Sequence, residues 1–163
     1  MTNLSRIFSS ILPLAAAMLS GCLITFWKSD ETNSTDNSKD GDWVSLFDGK
    51  TLGKWAKTDF SGKDEISIDE NGSLVLAMGI DLNGVHWTGK GDYPTMNYEI
   101  ALDAKRAMGS DFFCGLTFPF KESHATLILG GWGGSLIGIS SLDDFDASEN
   151  DTGDAYVFED NKW

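Results

Sequence analysis

A histidine between two glycines, followed directly by a tryptophan, is the first feature of this sequence that could carry chemistry. His86 and Trp87 lie within residues 84–89, which begin and end with glycine. A histidine can act as a general base near neutral pH, and an indole offers a flat apolar face to a sugar ring. No spacing motif joins His86 to a partner, so the pattern favours a strand-end histidine and a core tryptophan. If the segment is a site, His86 is its base and Trp87 binds the sugar.

A second tryptophan lies among four glycines. Trp132 is preceded by Gly130 and Gly131 and followed by Gly133 and Gly134. Glycines allow a backbone to approach closely, so an aromatic between them can project into a cleft and complete a sugar-binding platform. The alternative is that the glycines relieve crowding where a strand bends. The sequence leaves both interpretations open.

Acidic side chains farther along the chain offer hard oxygen ligands. They are Asp143, Asp144, Asp146, Glu149, Asp151 and Asp154, and Asn150 adds an amide oxygen. Their spacing fails the EF-hand pattern, because no glycine occupies the required turn position. A solvated acidic loop is the simpler interpretation. For a divalent cation such as calcium, Asp144 is the candidate ligand, and Asp111 is the candidate catalytic residue that polarises the substrate or binds the cation.

Other reactive residue types have simpler interpretations. Cys114 lies in an apolar strand pattern and is expected to be a small buried hydrophobe, since nothing near it suggests a lowered thiol pKa. His124 begins an apolar run and is expected at a strand edge. The triplet at 151–153 matches the aspartic-protease sequence once, with no second half, and carries no weight. The sequence contains no phosphate loop, paired-cysteine metal motif or nucleophile elbow.

Composition limits the chain to one domain and excludes a class of partner. The 163 residues are 41% hydrophobic and carry a formal charge of −13, with 12 basic residues against 25 acidic ones. Binding to nucleic acid needs a basic surface, which this balance does not provide. The 18 glycines and the lack of long helix-forming runs favour strands and turns.

The N-terminal segment is typical of a secretory leader. Arg6 precedes the uncharged residues 7–27, within which residues 19–22 read Leu-Ser-Gly-Cys. This string resembles the bacterial lipobox, which implies that Cys22 is diacylated and becomes the new N-terminus. Cys114 would then have no disulfide partner. The alternative is an uncleaved anchor, because residues 7–27 are long enough to cross a bilayer as a helix.

Both interpretations place the remaining chain outside the cytoplasm and attached to a membrane. We therefore divide the sequence into a lipoprotein signal peptide, residues 1–22, a flexible tether, residues 23–41, and a folded domain, residues 42–163. The tether prediction rests on residues 28–41, which are rich in Ser, Thr, Asn and Asp and contain no aromatic residue.

The domain reads as a succession of short strands. Turn residues at 48–49 and 71–72 separate the first of them. Residues 112–118 are apolar on both faces, which predicts a central, covered strand ending before Pro119. The regular spacing and the absence of an amphipathic helix predict an all-β sandwich. Strands are expected at residues 43–47, 66–68, 74–78, 85–88, 98–104, 112–118, 124–129, 136–139 and 155–158.

Two segments carry a resemblance to a known family. Residues 46–52, Leu-Phe-Asp-Gly-Lys-Thr-Leu, are followed by Trp55, and this string resembles the opening of the 3-keto-disaccharide hydrolase domain family. Residues 110–118 are similar, more loosely, to a central strand of that family. The resemblance covers residues 43–163 and implies a concanavalin A-like, jelly-roll β-sandwich. In the family, a segment like the last residues here introduces further strands, so we expect a sandwich incomplete at its C-terminus and poorly soluble.

The resemblance implies activity on 3-keto-glycosides and identifies no catalytic residue. A ketone at C3 acidifies the C2 proton, so a base can remove it, the enolate can be stabilised, and the C1 substituent can leave before water adds. The competing hypothesis is a carbohydrate-binding or adhesion module with no catalysis, since one fold can host both roles. A third is that this chain lacks part of its site and is inactive.

Overall fold

The structure, a computed structural model, describes residues 43–60, 65–78, 82–91 and 93–163 in full and the backbone course of residues 23–28. Within these ranges the only helical residues are Gly131–Gly134, and the prediction of an all-β chain is confirmed. The strands are β1 (Leu23–Lys28), β2 (Trp43–Ser45), β3 (Trp55–Lys57), β4 (Ile66–Ile68), β5 (Leu74–Leu76), β6 (Val85–Trp87), β7 (Tyr98–Asp103), β8 (Cys114–Phe120), β9 (Ser123–Gly130), β10 (Leu136–Ser140) and β11 (Asp154–Ala155).

The largest sheet is antiparallel and has the strand order β11-β10-β9-β8. Strand β9 is its best-covered strand, because Ala125 and Ile128 are both buried. These residues are three positions apart and therefore point to opposite faces of the strand. Leu116 of β8 pairs with Leu127 and is buried as well. This sheet positions the C-terminal candidate residues.

The prediction for residues 112–118 was wrong in two respects. The strand runs from Cys114 to Phe120, and it lies at the edge of its sheet rather than at the centre. Gly115 and Thr117 are exposed, so one face of the strand is open to solvent. An edge strand also tolerates Pro119, which has no N–H to donate and here pairs with His124. Apolar composition alone did not reveal this asymmetry.

The tether prediction was wrong for residues 23–28. These residues form β1, the middle strand of a three-stranded sheet in which it pairs with β2 and β7. The sequence Leu-Ile-Thr-Phe-Trp explains the result, since β-branched and aromatic residues favour a pleated surface. Strand β7, which was predicted, pairs with β1 along its full length from Tyr98 to Asp103.

One further strand was not predicted, and three others are shorter than the sequence prediction by two residues. Strand β3 was not predicted, and it pairs with β6. Met78 and Val157, which were expected in strands, are 75% and 85% exposed and lie outside them. The shortened strands are β2, which ends at Ser45 and not residue 47, β5, which ends at Leu76, and β11, which covers only Asp154–Ala155.

The predicted turns at residues 48–49 and 71–72 are present and touch each other. Oδ1 of Asp48 accepts hydrogen bonds of 2.8 Å from the second and third backbone N–H groups that follow it. A Cβ on Gly72 would lie 2.9 Å from the carbonyl oxygen of Gly49, so the two turns pack at a distance that only glycine allows. This contact brings the first turn against the β4–β5 hairpin.

Burial is limited in the described part of the chain. The buried apolar residues there are Phe47, Leu74, Leu116, Ala125, Ile128 and Ala147. Large apolar side chains that remain exposed include Trp43, Val44, Met108, Phe120, Trp132, Phe145, Tyr156 and Trp163. Such a surface is an association liability, and poor solubility stays a prediction. In the part of the chain that the structure describes, no helix has the length and apolar character needed to cross a membrane.

Candidate functional site

A left-handed turn presents Trp132 to solvent. Strand β9 ends at Gly130, and the chain reverses through Gly131–Gly134, called here the glycine turn, before β10 begins. Trp132 has φ 48° and ψ 61°, a conformation that costs a non-glycine residue about 1–2 kcal/mol. Its side chain is 59% exposed. The turn therefore holds a large apolar side chain where it covers little of the protein.

The glycines of this turn have two different roles. A Cβ on Gly130 would lie 2.7 Å from the Phe113 ring, and one on Gly134 would overlap the carbonyl oxygen of Ser110. These glycines allow close packing, as the crowding interpretation expects. Gly133 has φ 92° and open space around it, so it serves the backbone reversal that exposes Trp132. Gly130 and Gly134 thus fit the crowding interpretation, and Gly133 allows the exposure of Trp132 that the cleft interpretation requires.

Asp111 braces the glycine turn. Its Oδ1 accepts hydrogen bonds from the backbone N–H groups of Phe112, at 2.7 Å, and Gly133, at 3.0 Å. These two N–H groups, Phe112 first, hold the pKa of the Asp111 carboxyl below its ordinary value. The structure thus joins two of the predicted site residues, Asp111 and Trp132, and gives Asp111 a positioning role.

Trp132 lines an open groove of about 350 Å³. The groove lies between the glycine turn and the acidic segment that was singled out in the sequence. Its other lining residues are Ser135, Leu136, Ser148, Asn150, Gly153, Asp154 and Ala155. A flat indole beside hydroxyl and carboxylate groups is the arrangement by which proteins hold a small polar ring. We call this space the Trp132 groove.

Hydrogen bonds fix the loop that contributes Ser148, Asn150 and Gly153 to the groove. The amide Nδ2 of Asn150 donates to the carbonyl oxygens of Ile139, at 2.9 Å, and Asp146, at 2.8 Å. Its Oδ1 accepts from the backbone N–H and the hydroxyl of Thr152. The fully buried Ala147 packs under this loop, against Gly138. The sequence pattern placed Asn150 among the candidate oxygen ligands and did not predict this role for Asn150 or Thr152, although Asn-x-Thr is a pattern that favours such side-chain-to-backbone turns.

The acidic segment also borders a second cavity of about 260 Å³, which contains Asp144. Its lining residues are Ser140, Ser141, Asp144, Phe145, Asp146 and Glu149. Two of the carboxylates make internal hydrogen bonds, since Asp146 accepts from Ser148 and Glu149 accepts from the backbone N–H of Asp146. No group of three metal-ligating side chains occurs among the residues whose positions are described. The calcium ligand at Asp144 remains a prediction.

His86 and Trp87 lie in a different sheet, on β6, and do not line the Trp132 groove. Trp87 pairs with Trp55 of β3, and their rings meet edge to face at 5.2 Å. Trp87 is half-buried, as the core interpretation expected. His86 is exposed, and its Nδ1 lies 3.1 Å from the hydroxyl of Thr58. The structure therefore does not bring the predicted base together with the sugar platform at Trp132.

A C-terminal segment packs beside the glycine turn through Arg106. The guanidinium donates to Asp160, at 2.7 Å, and to the carbonyl oxygen of Phe158, at 3.0 Å. The ring of Phe158 meets Phe113 edge to face at 5.0 Å. A Cβ on Gly134 would also approach Arg106. This contact joins the C-terminal segment to residues that pack against the turn, and nothing in the sequence pattern indicated it.

The remaining predicted residues have ordinary positions. Cys114 is half-buried at the start of β8, and His124 is exposed near the beginning of β9, at the strand edge as predicted. The candidate lipidation residue, Cys22, lies outside the described residues, as do residues 1–21 and 29–42.

Comparison with family models, curated proteins and solved structures finds no match to this chain. The functional argument therefore rests on the chain's own residues and on the geometry around Trp132.

Proposed function

We propose that this protein is an extracytoplasmic β-sandwich module that binds a saccharide in the Trp132 groove. The observation that carries the proposal is the glycine turn, which holds the indole of Trp132 59% exposed at the edge of a groove of about 350 Å³. An indole face matches the apolar face of a pyranose ring, and the groove supplies a hydroxyl from Ser135 and a carboxylate from Asp154 for the sugar hydroxyls.

The energetic cost of exposing Trp132 supports a binding role over a purely structural one. The conformation of Trp132 is unfavourable, and Asp111 contributes a hydrogen bond to hold the turn. A core tryptophan would bury its area, as Trp87 does against Trp55. Trp132 buries little of its area within the protein. A ligand that covers the indole face would therefore offset the cost of its backbone conformation.

The experiment is a calorimetric titration of the full chain in detergent with neutral gluco-, manno- and galacto-oligosaccharides. The variant is Trp132→Ala, and the matched control is Trp43→Ala, another exposed indole, 47% exposed, on β2. We expect Trp132→Ala to weaken binding at least roughly tenfold, which corresponds to about 1.4 kcal/mol. The Trp43→Ala variant should bind like the parent chain. Equal loss in both variants, or no binding of any oligosaccharide, contradicts the proposal.

Hydrolysis of 3-keto-glycosides, which the family resemblance implies, is the second candidate. It is favoured by one observation: the Thr58 hydroxyl engages Nδ1 of the exposed His86, and Nε2 makes no hydrogen bond to the described residues. A base there would take the C2 proton, the C1 substituent would leave with the electron pair, and water would then add across the resulting double bond. A test is cleavage of a 3-keto-glucoside by the parent chain and by His86→Ala. Unchanged turnover removes His86 from this mechanism.

The leader supports attachment to a membrane through a lipid on Cys22. Strand β1 begins at Leu23, so the anchored cysteine would adjoin the three-stranded sheet directly, without an intervening tether. We expect the mature chain to carry a diacylglycerol mass on Cys22 and to fractionate with membranes. A mature parent chain that keeps its leader residues and an unmodified Cys22 would favour the anchor interpretation.

A further inference from the structure

We propose that the Trp132 groove selects sugars that carry a protonated amine, such as glucosamine oligomers, over acidic sugars. This inference rests on the proposed saccharide-binding function and names the ligand class of the same site. It follows from three features of the groove: the charges that surround it, the polar groups that remain available, and the exposed indole.

The groove is negatively charged. Asp154 lines it, and none of its lining residues is basic. Asp146, Glu149 and Asp151 belong to the same loop as the lining residues Ser148 and Asn150, and Asp146 and Glu149 line the neighbouring cavity. The basic group that approaches the glycine turn is Arg106, and its charge is compensated by Asp160 at 2.7 Å. A uronate in this groove would therefore meet like charge, whereas an ammonium would be attracted.

Most of the neutral polar groups that line the groove are already in use. Both N–H groups of the Asn150 amide donate to backbone carbonyls, and its oxygen accepts two hydrogen bonds from Thr152. The Ser148 hydroxyl donates to Asp146. An amide oxygen has two lone pairs and an amide nitrogen two protons, so Asn150 has no capacity left for a ligand. Discrimination by hydroxyl pattern is thus limited, and charge becomes the stronger criterion.

Trp132 and Asp154 complement each other for a cation. The negative face of an indole attracts an ammonium group, and a carboxylate on the same groove supplies the opposite charge. Oδ1 of Asp154 accepts the backbone N–H of Ala155 at 2.7 Å, and Oδ2 remains for the ligand. A glucosamine unit would lie with its ring against the indole and its amine toward this oxygen.

The test is to compare, by calorimetry at low ionic strength, oligomers of glucosamine, N-acetylglucosamine and galacturonic acid of equal length. We expect the glucosamine oligomer to bind about three- to tenfold more tightly than the N-acetylated one, and the galacturonate oligomer to bind most weakly. Because the charges are exposed, the preference should shrink in about 0.5 M salt. Asp154→Asn keeps the acceptor for Ala155 and removes the charge, so it should abolish the preference. The control is Asp151→Asn, a loop acid that does not line the groove.

Each outcome has a distinct meaning. If neutral oligomers bind through Trp132 but the amine adds nothing, or if galacturonate binds equally well, the inference is overturned and the proposed function stands. If Asp151→Asn removes the preference as completely as Asp154→Asn does, the attraction belongs to the whole acidic loop and the assignment to Asp154 is wrong. If no oligomer binds at all, the proposed function fails together with the inference.

Discussion

Two tryptophans in this protein occupy opposite environments for reasons that lie in the backbone around them. Trp87 sits on β6 directly across from Trp55 on β3, and the cross-strand pairing presses the two rings together edge to face. Trp132 sits in the glycine turn between β9 and β10, and 59% of its side chain is exposed. In the β3–β6 pair, the partner strand supplies a neighbour for the Trp87 ring. In the glycine turn, the left-handed backbone directs Trp132 away from the sheet.

The comparison teaches that residue type does not identify a sugar platform. Both tryptophans have polar or glycine neighbours in the sequence, and both were candidates for the same role. Only Trp132 combines an exposed ring with an adjacent groove and a turn that other residues stabilise. The following predictions test this difference, beginning with the largest expected effect.

The first prediction compares two glycines of the turn that share a φ of 92°. Gly133→Ala meets open space and should cost only the left-handed conformation, about 1–2 kcal/mol. Gly134→Ala adds an overlap with the backbone of Ser110 and should cost at least about 3 kcal/mol in total. Urea unfolding of the full chain in detergent, followed by tryptophan fluorescence, measures both. Equal destabilisation would show that the turn is not packed as described.

The second prediction compares the paired indoles. Nε1 of Trp55 donates to the carbonyl oxygen of Leu46 at 2.9 Å, whereas Nε1 of Trp87 is buried without a partner among the described residues. Trp55→Phe should therefore destabilise the chain by about 1 kcal/mol more than Trp87→Phe, because only the first change breaks a hydrogen bond. The same unfolding assay gives the difference.

Saccharide binding provides the internal check on this pair. Neither phenylalanine variant should alter it, since neither ring lines the Trp132 groove. Loss of binding in Trp87→Phe would move the site to the β3–β6 pair and contradict the proposal.

The third and smallest effect concerns Asp111. Its pKa lies below the ordinary value of 3.8 because backbone N–H groups, first that of Phe112 and then that of Gly133, donate to the carboxylate. A lowered pKa in the folded state stabilises the protein above the unfolded pKa, and this contribution is lost as pH falls through the folded pKa. The parent chain should therefore be more stable than Asp111→Asn at pH 7, and the gap should narrow as pH falls below 3.8. A gap that stays constant with pH would contradict the role given to Asp111.

The positions of many strands along the sequence followed from local patterns, because alternation and turn residues act over a few positions. Strands β4 and β7 lie where alternation predicted them, β6, β9 and β10 lie where apolar runs between turn residues predicted them, and the turn at Asp48 formed through its own side chain. The errors came from information that is not local. Whether β8 lies at an edge depends on which strands pair with it. Strand β1 depends on a partner that is distant in the sequence, since its residue Phe26 pairs with Ile100 of β7.

The candidate site was partly predictable for the same reason. The glycines around Trp132 are visible in the sequence, and they allowed the cleft interpretation. The contributions of Asn150 and Asp154 depend on how the loop folds back onto β10, and the brace from Asp111 spans 22 residues. The sequence prediction grouped His86 with Trp132, and short-range chemistry does not reveal that the structure places the two segments in different sheets.

The most direct test of the account follows the indole N–H signals of the six tryptophans by ¹H–¹⁵N NMR during titration with a neutral oligosaccharide. The Trp132→Phe and Trp87→Phe variants assign the two signals that matter. We predict that the Trp132 signal shifts saturably while the Trp87 signal stays in place. Saturable movement of the Trp87 signal with Trp132 unchanged would contradict the central claim that the glycine turn builds the binding surface.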